Sequence, residues 1–117
     1  MPDLPSPRAV PTVKIDNERV RVVEWRFAPG ASTGPHRHEW PYVVVPMTTG
    51  ALALTAPDGT ASSATLVTGE PYFRPAGVEH DVRNPNPGEF VFVEIEIKIM
   101  GGPDMAPQTP PRSPGPE

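Results

Sequence analysis

Gly30-Ala-Ser-Thr-Gly-Pro-His36-Arg-His38-Glu-Trp40 is the stretch around which the chain is organised. His36 and His38 are two of only 3 histidines; the third closes Gly69-Glu-Pro-Tyr-Phe-Arg-Pro-Ala-Gly-Val-Glu-His80. On an extended strand successive side chains alternate faces, so His36 and His38 point the same way. Two imidazoles on one face form a ready chelating pair. If strand pairing brings His80 opposite them, three nitrogens converge and part of a metal's coordination sphere stays open for water or substrate, as in catalytic metal sites. The competing interpretation is a metal-free barrel whose histidines stack in the core.

The bulk of the chain narrows the setting. Its 117 residues suffice for one domain with a hydrophobic core and are too few for two. Ten Lys+Arg against 14 Asp+Glu give a formal net charge of −4, which argues against a basic nucleic-acid face. Without cysteine there are no disulfides, thiolate ligands or cysteine nucleophile. No apolar run approaches a membrane span, and Met1-Pro-Asp-Leu-Pro-Ser-Pro-Arg8 lacks a hydrophobic signal core, so a cytoplasmic protein is expected. The 19 prolines cluster at the ends. They set apart an N-terminal segment at 1–12 and a tail at 101–117, leaving 13–100 as the domain. The tail has little to bury and is expected to be disordered or extended, with a docking ligand for a partner module as the alternative.

Between the ends, short apolar runs alternate with turn signals. Val20 to Phe27 alternates Val23, Trp25 and Phe27 against Glu24 and Arg26. Tyr42 to Val45 is β-rich, and Pro57-Asp58-Gly59 and Pro75-Ala-Gly77 are turns. In Phe90-Val-Phe-Val-Glu-Ile-Glu-Ile-Lys-Ile99, Val91, Val93, Ile95, Ile97 and Ile99 share one face and Glu94, Glu96 and Lys98 the other. This predicts a half-buried strand with its aliphatic face inward, which leaves Phe90 and Phe92 on the polar face in need of cover. Many short strands without a helical stripe indicate an all-β sandwich or barrel.

The spacing of the landmarks resembles the two cupin motifs. Gly30, His36, His38 and Gly50 match the first, and Gly69, Pro75, Gly77, His80 and Asn84 match every fixed position of the second. The resemblance covers roughly residues 20–100 and implies an all-β, single cupin jelly-roll β-barrel. It implies His36, His38 and His80 as ligands of a divalent transition metal ion (Fe, Zn, Ni or Mn, with Fe placed first) and a homodimer. Where the family usually carries a glutamate ligand, counting back from Gly50 finds Val43, expected to face the metal without ligating. The run from Tyr72 to His80, with Glu89 to Glu96 and Tyr42-Val-Val-Val-Pro46, is similar to small bacterial cupins named for a role in β-alanine degradation. That name supplies no reaction.

Imidazoles favour transition metals over calcium or magnesium. Three-histidine cupins that resemble this one include iron(II) dioxygenases of small organic acids and thiols, so the resemblance implies a metalloenzyme of dioxygenase type acting on a small carboxylate-bearing metabolite. The alternative is a non-catalytic, metal-dependent small-molecule sensor or carrier. Tyr42 and Arg74 are the candidate catalytic residues. Tyr42 and Tyr72 offer phenolic protons. Arg74, if it enters the barrel, pairs a substrate carboxylate; if it points outward, it meets Glu70, Glu94 or solvent. By alternation Glu79 and Asp81 lie opposite His80 and are expected to be exposed. Asn84 is expected to tie a turn, and Trp40 to pack or to cover the barrel mouth.

Overall fold

β2 (Val20–Phe27) and β9 (Phe90–Ile97) pair antiparallel along their whole length, Val20 against Ile97 and Phe27 against Phe90. In the computed structural model, which describes residues 7–98, this pair is the centre of a five-stranded sheet ordered β1-β2-β9-β4-β7. Its other members are β1 (Val10–Asp16), β4 (Tyr42–Pro46) and β7 (Tyr72–Arg74). The second sheet, ordered β3-β8-β5-β6, joins β3 (His36–Arg37), β5 (Gly50–Thr55), β6 (Ala61–Leu66) and β8 (Glu79–Arg83). All named strand pairings are antiparallel. The core lies between the sheets: Phe27, Tyr42, Val44, Phe90 and Phe92 from one meet Leu52, Leu66 and Val82 from the other. Among the described residues there is no helix, and the all-β jelly-roll expectation holds. The sheet begins at Val10, inside the proline-rich N-terminal segment. Ile99 and the tail at 101–117 lie outside the described residues.

Register sorts the five-stranded sheet into rows. Pro11, Trp25, Phe92 and Pro46 form an inner row; Val13, Val23, Glu94, Val44 and Tyr72 form the next; Asp16, Arg21, Glu96, Tyr42 and Arg74 form a third. The outer face carries Ile15, Val22, Ile95, Val43 and Phe73 in one line across all five strands.

The period-2 reading of β9 is correct, and the assignment of its faces is reversed. Phe90 is 0 % and Phe92 5 % exposed, whereas Val93, Ile95 and Ile97 are only half-buried on the outer face. The two phenylalanines bury more apolar area per residue than the valines and isoleucines, and Phe92 packs on Phe27 with ring centroids 5.5 Å apart. They carry Glu94 and Glu96 inward with them. A strand chosen by its aliphatic count alone therefore points the wrong way when its other face holds large aromatics and lines a polar cavity.

Asn84 locks the loops at one end. It is fully buried, and its amide donates to the carbonyls of Phe27, Ala28 and Gly88 while its Oδ1 accepts from the backbone and side chain of Asn86. Asn86 in turn reaches Gly50, where an added Cβ would meet its Oδ1 at 3.0 Å. That close approach gives the glycine of the first motif its physical reason. Asn84→Ala would strand several buried carbonyls, and we expect it to lower unfolding free energy by about 2–3 kcal/mol in denaturant titration.

Candidate metal centre

His36 stands directly opposite His80 in the β3–β8 pair. His38 follows the short strand, but the ladder continues past it: its N–H donates to Val78 O at 2.9 Å and its carbonyl accepts from Gly77 N–H at 2.8 Å. Gly77 makes this possible with φ of 96°, a left-handed conformation that a side chain would strain. The three rings thus meet. The Nε2 atoms of His36 and His38 lie 3.1 Å apart, and those of His38 and His80 lie 3.2 Å apart. Bonds of about 2.0–2.1 Å to a common ion place neighbouring nitrogens roughly 2.9–3.4 Å apart for angles between octahedral and tetrahedral, so the trio fits one ion.

The protonation pattern agrees with ligation. His36 Nδ1 lies 2.9 Å from Gly34 O, which can only accept, so Nδ1 carries the proton and Nε2 of the neutral ring keeps its lone pair. Thr33 Oγ1 lies 3.2 Å from the same Nδ1. Burial pushes His38 down to about 3, with His36 and His80 adding to the shift. Burial likewise pushes His80 down to about 4, helped by His36 and Arg74. Both rings are neutral near pH 7, the form that binds metal.

The five-stranded sheet supplies the facing wall. Tyr42, 2 % exposed, stacks on His38 with ring centroids 4.0 Å apart. Its hydroxyl is buried without a hydrogen-bond partner among the described residues, and burial, followed by nearby Glu94, drives its pKa well above the usual phenol value. Val43 does not face the histidines. Tyr42 and Val44 take the inner face, and Val43 belongs to the outer row. Counting back from Gly50 lands one residue too late, and one residue of slip reverses a strand's face.

Arg74 pairs with Tyr42 on the inner face, its guanidinium 5.5 Å from the Tyr72 ring centroid. Among the described residues no carboxylate lies within ion-pair distance of it, Glu70 and Glu94 included. Glu94, absent from the sequence-based candidates, enters the same cavity with His36, His80, Tyr42, Tyr72 and Arg74. Burial pushes its carboxyl up to about 7, Glu96 adds to this, and the Trp25 indole works the other way. Phe90 and Phe92 were the signal that could have revealed it, since burying them brings Glu94 inside. Glu79 is exposed as expected, while Asp81 is half-buried with one unpartnered oxygen. Asn84 ties loops, and half-buried Trp40 packs under the Lys98 ammonium, 5.3 Å from its ring centroid.

Comparison with known proteins agrees with this geometry. The cupin domain model matches residues 23–96. The chain is 61% identical over 92 residues to a Pseudomonas aeruginosa protein named β-alanine degradation protein BauB, covering 79% of this chain and 96% of that protein. A crystal structure of a cupin domain from Bordetella pertussis is 60% identical with a TM-score of 0.80, covering 83% of this chain and 100% of the other. A Klebsiella pneumoniae protein with a double-stranded β-helix domain, 20% identical, shares the fold with a TM-score of 0.64 over 78% of this chain and 77% of its own. Among the described residues no helix is long and apolar enough to cross a membrane. The strand order, the convergence of both histidine motifs and these likenesses agree: the chain belongs to the cupin family.

Proposed function

We propose that the chain holds one divalent transition metal ion on His36, His38 and His80 and acts as a metalloenzyme of three-histidine dioxygenase type on a small carboxylate-bearing metabolite. The observation that carries this reading is the common focus of three Nε2 atoms, 3.1 and 3.2 Å apart, beside a guanidinium and a phenol that find no partner among the described residues. A bound ion supplies Lewis-acid and, if iron, redox chemistry. The chain's own groups do the rest. Arg74 is always charged and can grip a carboxylate through two parallel N–H bonds, while Tyr72 beneath it restrains the guanidinium. The Tyr42 O–H has no acceptor among the described residues and stays protonated, so it donates to a substrate oxygen. Val44, Leu52, Leu54, Val82 and Phe92 form the apolar lining of this cavity. The Pseudomonas relative is named for β-alanine degradation, and β-alanine is a small carboxylate-bearing molecule.

Metal analysis of the purified protein, followed by oxygen-uptake screening with small acids including β-alanine, tests this. Iron with uptake supports it; zinc or nickel without turnover would replace it with a non-catalytic sensor or carrier. We expect alanine at His36, His38 or His80 to reduce metal affinity by roughly tenfold or more. Arg74→Ala should weaken carboxylate binding by about tenfold to a hundredfold, Arg74→Lys should recover part of that, and metal content should hold in both, as read by calorimetry and elemental analysis.

A homodimer is part of the same reading, and its support is the outer face of the five-stranded sheet. Ile15, Val22, Ile95, Val43 and Phe73 make an unbroken apolar line, with Ile15 and Phe73 about half exposed at 49% and 45%. Such a strip favours burial against a second copy. Val43→Glu places a charge in its middle. We expect the variant to sediment as a monomer and to keep its metal affinity, because the new carboxylate faces away from the histidines.

A further inference from the structure

Glu94 is buried at 7 % exposure in the inner row, flanked in register by Val23 and Val44. Among the described residues its sole basic neighbour within ion-pair distance is His38, whose Nε2 lies 3.9 Å from Glu94 Oε2. That nitrogen cannot neutralise it. It is directed at the Nε2 atoms of His36 and His80, and as a ligand it would carry no proton. Glu96, the other acid of this face, is already opposed by Arg21 at 3.9 Å. Arg74 lines the same cavity but lies beyond ion-pair reach of Glu94. Among the described residues no cation of the chain pairs with it, and a buried carboxyl in that position either takes up a proton or is ionised beside a cation from outside.

The inner face of β4 offers no acid for that role, since Tyr42 and Val44 occupy it. We propose that Glu94 balances the charge of an ion on His36, His38 and His80 from beside His38, its carboxylate standing next to that ligand rather than joining all three rings around the ion. This rests on the metal-binding reading above. The ion then meets three neutral imidazoles, and the carboxylate beside them faces the positive charge that favours its ionised form. The last strand, which neither motif includes, thereby becomes part of the site.

The test compares wild type, Glu94→Gln, Glu94→Asp and Glu96→Gln, each stripped of metal and titrated with Zn(II) and with Fe(II) under anaerobic conditions. Glu94→Gln keeps the shape and removes the charge, so its metal Kd should rise by about tenfold or more. Glu94→Asp keeps the charge and should lose less, and Glu96→Gln should stay within about twofold of wild type. Without metal, Glu94→Gln should melt no lower than wild type, because an uncompensated buried charge has gone, while the rise in Tm on adding metal shrinks. An unchanged Kd in Glu94→Gln overturns the proposal and leaves the three-histidine site standing. Equal losses in Glu94→Gln and Glu94→Asp, or in Glu94→Gln and Glu96→Gln, also overturn it, as packing or general charge. Absence of metal binding by wild type overturns the histidine site and this proposal together.

Discussion

The cross-strand pairing of His36 with His80 is the constraint on which the rest depends. It sets two imidazoles edge-on to each other at the edge of one sheet, ring centroids 4.7 Å apart, and the hydrogen bonds from His38 to Val78 and from Gly77 to His38 bring the third ring against them. Any slip in that ladder would send one ring to the other face of its strand. The glycines and Pro75 around it have turn-forming work in common, and Gly34 adds a carbonyl that settles which nitrogen of His36 carries its proton.

Around that focus the barrel separates its polar from its apolar demands by row. The row of Trp25, Phe92 and Pro46 closes one end with bulk, and the row carrying Tyr42 and Arg74 is rich in charge. The candidate site residues Tyr42 and Arg74 lie on that charged row, and Glu94 lies on the row between. Among the described residues the buried phenol finds no acceptor, the guanidinium no carboxylate and the carboxyl of Glu94 no Lys or Arg within ion-pair distance, and each such group costs stability. Their presence in one cavity is the usual sign that a site has been kept at the expense of the fold.

Much of this was legible in the chain as text. The pairing of His36 with His38 follows from alternation over two residues, and the arrival of His80 follows from motif spacing, so both survive without knowledge of the sheet. Asn84 was legible for the same reason. The facing of β9 was not, because alternation identifies two faces and is silent on which is inside. That choice turns on whether Phe90 and Phe92 or the aliphatic residues bury more area, a question answered by Phe27 across the sheet. Val43 failed for a related reason: Gly50 is a landmark in sequence, but β4 takes its phase from β9 and β7. Glu94 was missed because it depends on both of these long-range facts.

His38 belongs to the chain just before Trp40-Pro41 carries it from one sheet to the other, and its ring lies flat on Tyr42 of the opposite sheet. The cavity is therefore a seam, with His36 and His80 sewn to one layer and Tyr42, Arg74 and Glu94 to the other. Whatever occupies it touches both layers at once. Filling the cavity and setting the spacing of the two sheets are then a single mechanical coordinate.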